Sequence, residues 1–310
     1  MKKSFILIEL VWILLIIFNF PVSAQEKSRF NVNLKYWHTR GEMKWKTSFP
    51  VPHGTGASEL VFPQDGNIGL LTVEYGTWRK FFVNTSLGIG SNSGTSSDSD
   101  WRWGCGLATS LYSVSTQDCS SEPLLWDINL GYQLLNKPEI DTEPTFDIFV
   151  GYQHERSEFK MTNGYQTVAT PLLTPPVGPF NGLDSTYKIT YRGPRIGIRG
   201  NFKPASRWRA GGSFAYAWLS TEGKGYWNLR APVNTFTHSG GKGEGIDANI
   251  GVGYTFARIP ELSLQLDYRY LRMENKGGGC SKEWDPTSIV RWDYAKSIFQ
   301  GPMLLAVYKW

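Results

Sequence analysis

Apolar residues alternate with polar or small ones over segments of about ten residues, each followed by a turn sequence. In residues 246–256, for example, Ile, Ala, Val, Tyr and Phe alternate with Asp, Asn, Gly and Thr. Similar segments begin at Phe30, Phe81, Trp126, Phe146 and Leu262. A period of two places one set of side chains on each face of a β-strand. The pattern therefore predicts an all-β protein.

The chemistry of the two faces favours a membrane barrel. The apolar set ends in Tyr or Trp, as expected where strands cross the boundary between lipid and water. The other set consists of Asn, Gln, Asp, Arg and Gly, which suits a water-filled lumen. In lipid every backbone polar group must be paired, so such strands have to close into a barrel. A soluble periplasmic β-sandwich has the same alternation and is the alternative; it requires a second sheet over the apolar faces.

The connections between the segments alternate in length and orient the predicted barrel. Short connections lie near residues 76–79, 136–143, 203–207 and 258–260. Long connections lie near residues 47–57, 94–123, 162–185, 222–242 and 277–289. Short turns face the periplasm and long loops face outward. We therefore expect a ten-stranded antiparallel transmembrane β-barrel with five long extracellular loops, and an irregularity at Pro194.

Both ends of the chain carry export signals. Lys2 and Lys3 precede an apolar run that ends at residues 21–24, which reads as a secretory signal peptide over residues 1–24. A retained N-terminal anchor is the alternative. Residues 25–310 would then form the barrel. The last strand alternates and stops on Trp310, which resembles the signal that bacterial outer-membrane proteins present to the barrel assembly machinery.

Composition narrows the chemistry that the exported part can perform. The formal net charge of +5 is small and evenly spread, so we expect no nucleic-acid partner. Cys105 and Cys119 are candidates for a disulfide, with Cys280 left over or pairing instead. No histidine lies at ligand spacing from a cysteine, so we expect neither a metal site nor a cofactor.

Several short motifs resemble those of the omptin family of outer-membrane endopeptidases. Asp98-Ser99-Asp100-Trp101 is similar to the family's Asp-x-Asp-Trp, and Gly151-Tyr152-Gln153 followed by Arg156 is similar to its Gly-Tyr-Gln strand end. Further counterparts follow in the same order as in the family, at Ser58-Glu59-Leu60, Pro194-x-Ile196-Gly197 and Gly211-Gly212-Ser213-Phe214. The resemblance runs through most of residues 25–310 and implies an omptin-like barrel in the bacterial outer membrane.

The resemblance also implies a catalytic site, of which this sequence has only half. In active omptins a carboxylate pair faces an Asp–His dyad from the fourth long loop, and together they activate a water. Asp98 and Asp100 match the carboxylate pair, but the place of the dyad holds Lys224, Gly225, Tyr226 and Trp227. A histidine oriented by an acid takes a proton from water near neutral pH, whereas carboxylates alone are poorer bases.

We therefore expect no proteolysis. A protease that uses Asp98 and Asp100 with His238, which lies later in the fourth loop, is the alternative. Asp98 and Asp100 have a simpler interpretation too, as members of a polar loop over residues 91–100.

Family members also bind lipopolysaccharide through an outward Tyr/Arg cluster. Tyr152 and Arg156 match two of its positions, while His154-Glu155 between them departs from the family's order. Lipopolysaccharide is therefore the expected partner. The expected function is a structural, surface-interaction or narrow-pore role. Some omptin-like proteins of environmental chlamydiae, which this chain resembles, have been regarded as porins.

Overall fold

The computed structural model describes residues 29–51, 54–76, 80–104, 107–135, 144–230, 234–283 and 290–309, where all regular structure is β. No helix in these ranges is long and apolar enough to cross a membrane. The strands are β1 Arg29–Thr39, β2 Glu42–Val51, β3 Gly54–Pro63, β4 Gly66–Gly76, β5 Phe81–Gly104, β6 Leu107–Leu135, β7 Thr145–Val168, β8 Gly178–Ala205, β9 Trp208–Tyr226, β10 Thr235–Gly240, β11 Gly243–Thr255, β12 Leu262–Asn275, β13 Gly279–Glu283 and β14 Val290–Lys309.

These strands form one antiparallel sheet that closes on itself. Strands β5 to β9 pair in chain order, and β14 pairs with β1, which closes the ring. Strands β1 and β2 lie on one line of the ring because both pair with β14, and β3 and β4 likewise both pair with β5. The 14 segments therefore form a ring of about ten long strands, as the alternating sequence predicted.

Two glycines allow close backbone contact where β1 and β2 meet β14. Gly41 and Gly301 have φ angles of 155° and 148°. A Cβ on Gly41 would lie 2.0 Å from the Ile298 carbonyl oxygen, and one on Gly301 would lie 2.1 Å from the His38 carbonyl oxygen. The backbone segments approach closely here because neither glycine carries a side chain.

Most of the segments predicted as long loops are instead extensions of the strands. β5 and β6 have 24 and 29 residues, far more than the roughly 9–11 that cross a bilayer. Residues 94–104 and 107–123 therefore belong to strands, and the expected loop at 162–185 shrinks to the connection between Val168 and Gly178. These extensions carry polar residues on both faces, so the alternation that reveals a strand is missing from their sequence.

The outer face of the lower half of the ring is a band of exposed apolar side chains. Representative members are Leu34, Val83, Ile128, Leu130, Ile148, Val150, Ile196, Ile198, Phe214, Ile250, Val252, Leu264, Leu266 and Leu304. Aromatic residues such as Tyr152, Trp126 and Tyr308 edge the band. A soluble protein does not leave so large an apolar surface uncovered, and the described residues form one sheet only. The soluble sandwich is therefore wrong.

Inside this band the lumen holds a network of ion pairs. The Arg269 guanidinium binds both oxygens of Asp247 at 2.9 Å, and Arg195 reaches Asp247 at 3.4 Å and Asp127 at 3.3 Å. Arg199 pairs with Asp147 and with Glu74. The space between these side chains is a cavity of about 140 Å³. Paired charges therefore fill most of the lower lumen.

Above the network lies a layer of rings that we call the aromatic layer. It comprises Trp45, Phe62, Phe159, Tyr187, Phe236, His238 and Trp292. Its members are in contact, with ring centroids 4.6 Å apart for Phe62 and Phe159 and 5.4 Å apart for Trp45 and Tyr187. Every member is at most 5% exposed. The layer separates the lower lumen from the upper end of the barrel.

The irregularity expected at Pro194 is present on one side of its strand. Towards β9 the ladder skips Gly193 and Pro194, and the register on either side is the same. Towards β7 the pairing continues through Pro194, which faces Tyr152. Proline cannot donate a backbone hydrogen bond, so one ladder is interrupted here.

Candidate functional site

The upper end of the barrel contains a cavity of about 570 Å³, which we call the mouth cavity. Its lining comes from strands β2, β3, β5, β6, β7 and β8, from the first residue of β14, and from the segments after β7 and β9. Trp45, a member of the aromatic layer, also lines it, together with Met161. The cavity therefore lies on top of the aromatic layer.

Asp98 and Asp100 lie side by side on the mouth-cavity face of β5. Both line the cavity, because residues two apart on a strand point to the same face. Asp98 is opposite Leu60 and Ser115 in the register, and Asp100 is opposite Ser58 and Ser113. The interpretation of residues 91–100 as a polar loop is therefore wrong, since they continue β5.

Hydroxyl groups and cations surround the two carboxylates. The Ser58 hydroxyl donates to Asp98 Oδ1 at 3.1 Å. Burial raises the pKa of the Asp100 carboxyl, while the nearby hydroxyl groups of Ser58 and Ser113 and the charge of Arg230 oppose the rise. Burial also raises the pKa of Tyr112, and the nearby charges of Asp100 and Asp98 add to this effect. The carboxylates are therefore held in a partly desolvated, hydrogen-bonding wall.

Aromatic rings pack against the end of β9, where the sequence comparison implies an Asp–His dyad in active omptins. Near the end of β9 the buried positions are Gly223 and Gly225, and Lys224 between them is exposed. A Cβ on Gly225 would lie 2.0 Å from two atoms of the Phe236 ring, and a Cβ on Gly223 would lie 2.3 Å from the Tyr187 hydroxyl. The space that inward side chains would need at these positions is therefore taken by aromatic residues.

His238 is part of that packing. It is 1% exposed and lies between rings, with centroid distances of 4.8 Å to Trp45, 5.0 Å to Phe236 and 5.0 Å to Trp292. Its Nδ1 is 3.0 Å from the Tyr187 hydroxyl, and its Nε2 has no hydrogen-bond partner in the described residues. Burial lowers the pKa of His238 to about 3. His238 does not line the mouth cavity, so the structure does not bring it together with Asp98 and Asp100.

Tyr152 and Arg156 lie on the outer face of β7, at the upper edge of the apolar band. Tyr152 is 37% exposed and stacks on Trp126 with a centroid distance of 5.9 Å. His154, between them on the same face, stacks on Trp126 at 5.3 Å and is opposite Arg192 in the register. The structure therefore groups an aromatic pair with several basic side chains at this edge.

The disulfide expected between Cys105 and Cys119 stays a prediction, because Cys105 lies outside the described residues. Cys119 is a free, buried thiol on β6 opposite Gly94, and Cys280 is free and exposed.

Three further expectations concern metals and the chain ends. The described residues contain no group of three or more His, Cys, Asp or Glu side chains that could hold a metal ion. The proposed signal peptide at 1–24 lies outside the described residues, as does Trp310.

The glycine pair on β9 is the site feature that sequence reasoning missed. The signal was available in the spacing Gly223-Lys224-Gly225, since glycines two apart on a strand leave one face without side chains. What fills that face is not readable from the local sequence, because Phe236 and Tyr187 come from other strands.

Solved structures of outer-membrane proteins resemble this fold to different degrees. The outer membrane protease OmpT from Escherichia coli superposes with a TM-score of 0.75 and 15% sequence identity, covering 93% of this chain and 99% of that one. The translocator domain of the autotransporter NalP from Neisseria meningitidis has a TM-score of 0.37 and 8% identity, covering 100% and 98%. The outer membrane protein OprG from Pseudomonas aeruginosa has a TM-score of 0.33 and 10% identity, covering 92% and 97%.

The OmpT match confirms the omptin-like fold that the sequence motifs predicted. No curated protein sequence matches the chain. The family model of Pom, Protochlamydia outer membrane protein, matches residues 71–284. These residues include the wall that carries Asp98 and Asp100 and most of the aromatic layer. The chain is an outer-membrane β-barrel protein and belongs to the Protochlamydia outer membrane protein family.

Proposed function

We propose that this protein is a non-proteolytic, ten-stranded outer-membrane barrel whose mouth cavity binds a ligand from outside the cell. The observation that carries this proposal is the packing at Gly223 and Gly225. A protease of the omptin type needs an inward base across the cavity from Asp98 and Asp100. Near the place where the resemblance implies that base, the space beside Gly225 and Gly223 is taken by Phe236 and Tyr187, and these side chains are poor proton acceptors for a water.

The remaining histidine supports the same conclusion. His238 sits in the aromatic layer, with a pKa lowered to about 3 by burial. A general base works best with a pKa near the working pH and within reach of the water it activates. His238 meets neither requirement, whereas Asp98 and Asp100 remain as hydrogen-bonding groups of a binding cavity.

A peptidase assay tests the proposal. The refolded barrel is incubated with lipopolysaccharide and basic fluorogenic peptides, and the Asp98→Ala variant is measured beside it. Ser99→Ala is the matched control, since Ser99 lies between the two acids on the same strand but does not line the cavity. We expect no hydrolysis above background from any of them. Hydrolysis that Asp98→Ala abolishes and Ser99→Ala keeps would establish the protease instead.

The upper edge of the apolar band is proposed to bind lipopolysaccharide. Tyr152 and Arg156 match the family's outward cluster, and Arg192 and Lys188 lie on the neighbouring strand β8. Cations just above a hydrocarbon boundary pair with lipid phosphates, while an aromatic side chain packs at the boundary itself. Arg156→Ala should weaken binding of lipopolysaccharide to the refolded barrel. Arg207→Ala, which changes an exposed arginine beside a short turn at the opposite end, should leave binding unchanged.

A narrow pore is the second candidate function. The observation in its favour is the charged lining of the lower lumen, where Arg195, Arg199 and Arg269 lie inside the barrel. The aromatic layer above them and the small volume between them oppose it. Planar-bilayer recording of the refolded barrel decides between the two. A binding barrel gives no conductance steps above those of the bare bilayer, whereas reproducible steps would establish the pore.

Export and orientation complete the proposal. Cleavage after Ala24 would leave Gln25 as the first residue, and N-terminal sequencing of protein from outer membranes reads this directly. The connection between β7 and β8 is proposed to face outward, so protease added to intact cells should cut there. Removing Trp310 should slow assembly into the membrane.

A further inference from the structure

We infer that the ligand of the mouth cavity is a neutral saccharide. This inference rests on the proposed binding role of the cavity and adds the class of ligand to it. The cavity volume of about 570 Å³ lies in the range of small-molecule sites. Four features of its lining define the chemistry of the ligand: charges of both signs, hydroxyl and amide groups, two polar atoms without partners in the described residues, and aromatic rings.

Charges of both signs line the cavity. Asp98 and Asp100 supply two carboxylates, and the Arg230 guanidinium lies in the same lining. A cationic peptide would have to compete with this arginine, and an anion would face two carboxylates. The mixture of charges favours a polar ligand without a strong charge of its own.

Short neutral side chains supply much of the remaining polar lining. Ser113, Ser115 and Ser185 line the cavity as hydroxyl groups, and Gln166 is an amide whose Nε2 donates to Ser113 Oγ at 3.0 Å. Each of these four residues is at most 8% exposed. Hydroxyl and amide groups both donate and accept, and they match a ligand that is itself covered in hydroxyl groups.

Two buried polar atoms of the lining have no partner in the described residues. They are Gln117 Oε1, an acceptor, and Trp45 Nε1, a donor. Gln117 is 6% and Trp45 is 2% exposed, and both line the cavity. Buried polar groups are normally hydrogen-bonded, so two such atoms without a partner beside a cavity indicate that a polar ligand binds there. Ligand hydroxyl groups can supply both the missing donor and the missing acceptor.

Aromatic rings provide surfaces for the apolar faces of a sugar ring. Trp227 lines the cavity and packs on Phe236 of the aromatic layer with a centroid distance of 5.0 Å, which holds its indole in place. Tyr112, Phe49 and Phe180 also line the cavity. A pyranose presents C–H groups on its faces and hydroxyl groups around its rim. Rings combined with carboxylate, amide and hydroxyl groups therefore match it on both counts.

Binding of named probes to the refolded full-length barrel tests the inference. The probes are maltose, cellobiose, lactose, mannobiose and diacetylchitobiose, with a Lys-Arg peptide and glucuronate as charged comparators, and binding is measured by calorimetry. We expect at least one neutral disaccharide to bind more tightly than either charged probe. Asp98→Ala should weaken it roughly tenfold or more, since a hydrogen bond to a charged group is lost. Ser99→Ala is the matched control and should bind as the wild type does.

The outcomes separate the inference from the proposed function. Binding of the charged peptide but of no saccharide overturns the saccharide while the binding role stands. If none of the probes binds to a barrel that shows native heat-modifiability, both the saccharide inference and the proposed binding role are overturned. Trp227→Phe keeps a ring and should retain most of the saccharide affinity, whereas Trp227→Ala should lose it. Equal affinities of these two variants would contradict stacking on the indole.

Discussion

Adding a single methyl group at Gly225 should destabilise the barrel. A Cβ built there lies 2.0 Å from both Cε1 and Cζ of Phe236, and real Cβ atoms essentially never approach another heavy atom within 3.0 Å. The ring cannot move aside easily. Its centroid lies 5.0 Å from Trp227 and from His238, and 6.0 Å from Tyr187. Gly225→Ala therefore has to overpack the aromatic layer.

The expected cost follows from this overlap. Forcing an extra carbon into a packed core costs about 1–3 kcal/mol. That range corresponds to roughly a 5- to 150-fold change in the unfolding equilibrium, since 1.4 kcal/mol is a factor of ten. Gly200→Ala is the matched control, because a Cβ there has only the Thr145 carbonyl oxygen within reach, at 3.8 Å. The control should change the free energy of unfolding by less than the lower end of the range.

Urea unfolding in lipid vesicles, followed by tryptophan fluorescence, measures both variants. The double variant Gly225→Ala/Phe236→Leu tests the cause, since a smaller side chain frees the space. It should be more stable than the sum of the two single changes predicts. Equal unfolding midpoints for Gly225→Ala and Gly200→Ala would refute the reasoning, because the Phe236 ring would then not fill the space beside Gly225.

Three further predictions concern other parts of the barrel. Arg269→Leu should cost about 3–5 kcal/mol in urea unfolding, because it leaves Asp247 with less compensation, and adding Asp247→Asn should recover part of the loss. Burial lowers the pKa of His238 from 6.5 to about 3, so the unfolded chain binds the proton at a higher pH than the folded chain does. The free energy of unfolding should therefore fall as the pH drops from 6.5 towards 3, by at most about 1.4 kcal/mol per pH unit. His238→Asn should remove this slope. Burial raises the pKa of Cys119 to about 11, so N-ethylmaleimide should modify exposed Cys280 long before Cys119, as peptide mass spectrometry would show; equal rates would contradict the buried position.

The sequence predicted the lower half of the barrel well and the upper half poorly. Where lipid lies on one side and a polar lumen on the other, every strand alternates, as in residues 246–256. Above that band the strands meet water outside, and β5 continues through Ser, Gly and Asp residues without alternation. Residues 91–100 consequently read as a loop from sequence, and only the pairing with β3, β4 and β6 reveals them as a strand.

The candidate site was predictable only as far as its local motifs reach. The Asp-x-Asp spacing indicated one wall, because residues two apart share a face of a strand. The packing at the end of β9 depends on which side chains from other strands fill the space beside Gly223 and Gly225. Phe236 and Tyr187 are separated from these glycines along the chain, and nothing in the local sequence indicates that they meet. The same reason hid the burial of His238, whose neighbours include residues of β2 and β14.

We propose that this omptin-like barrel does not hydrolyse peptide bonds. The most direct test incubates the refolded barrel with lipopolysaccharide and a complex peptide library in water enriched in ¹⁸O, and searches for new carboxyl termini by mass spectrometry. Hydrolysis places an oxygen of the water in each new terminus whatever the substrate. The account predicts the same labelled termini as in a sample without the barrel. Additional ¹⁸O-labelled termini that vanish with Asp98→Ala would contradict it.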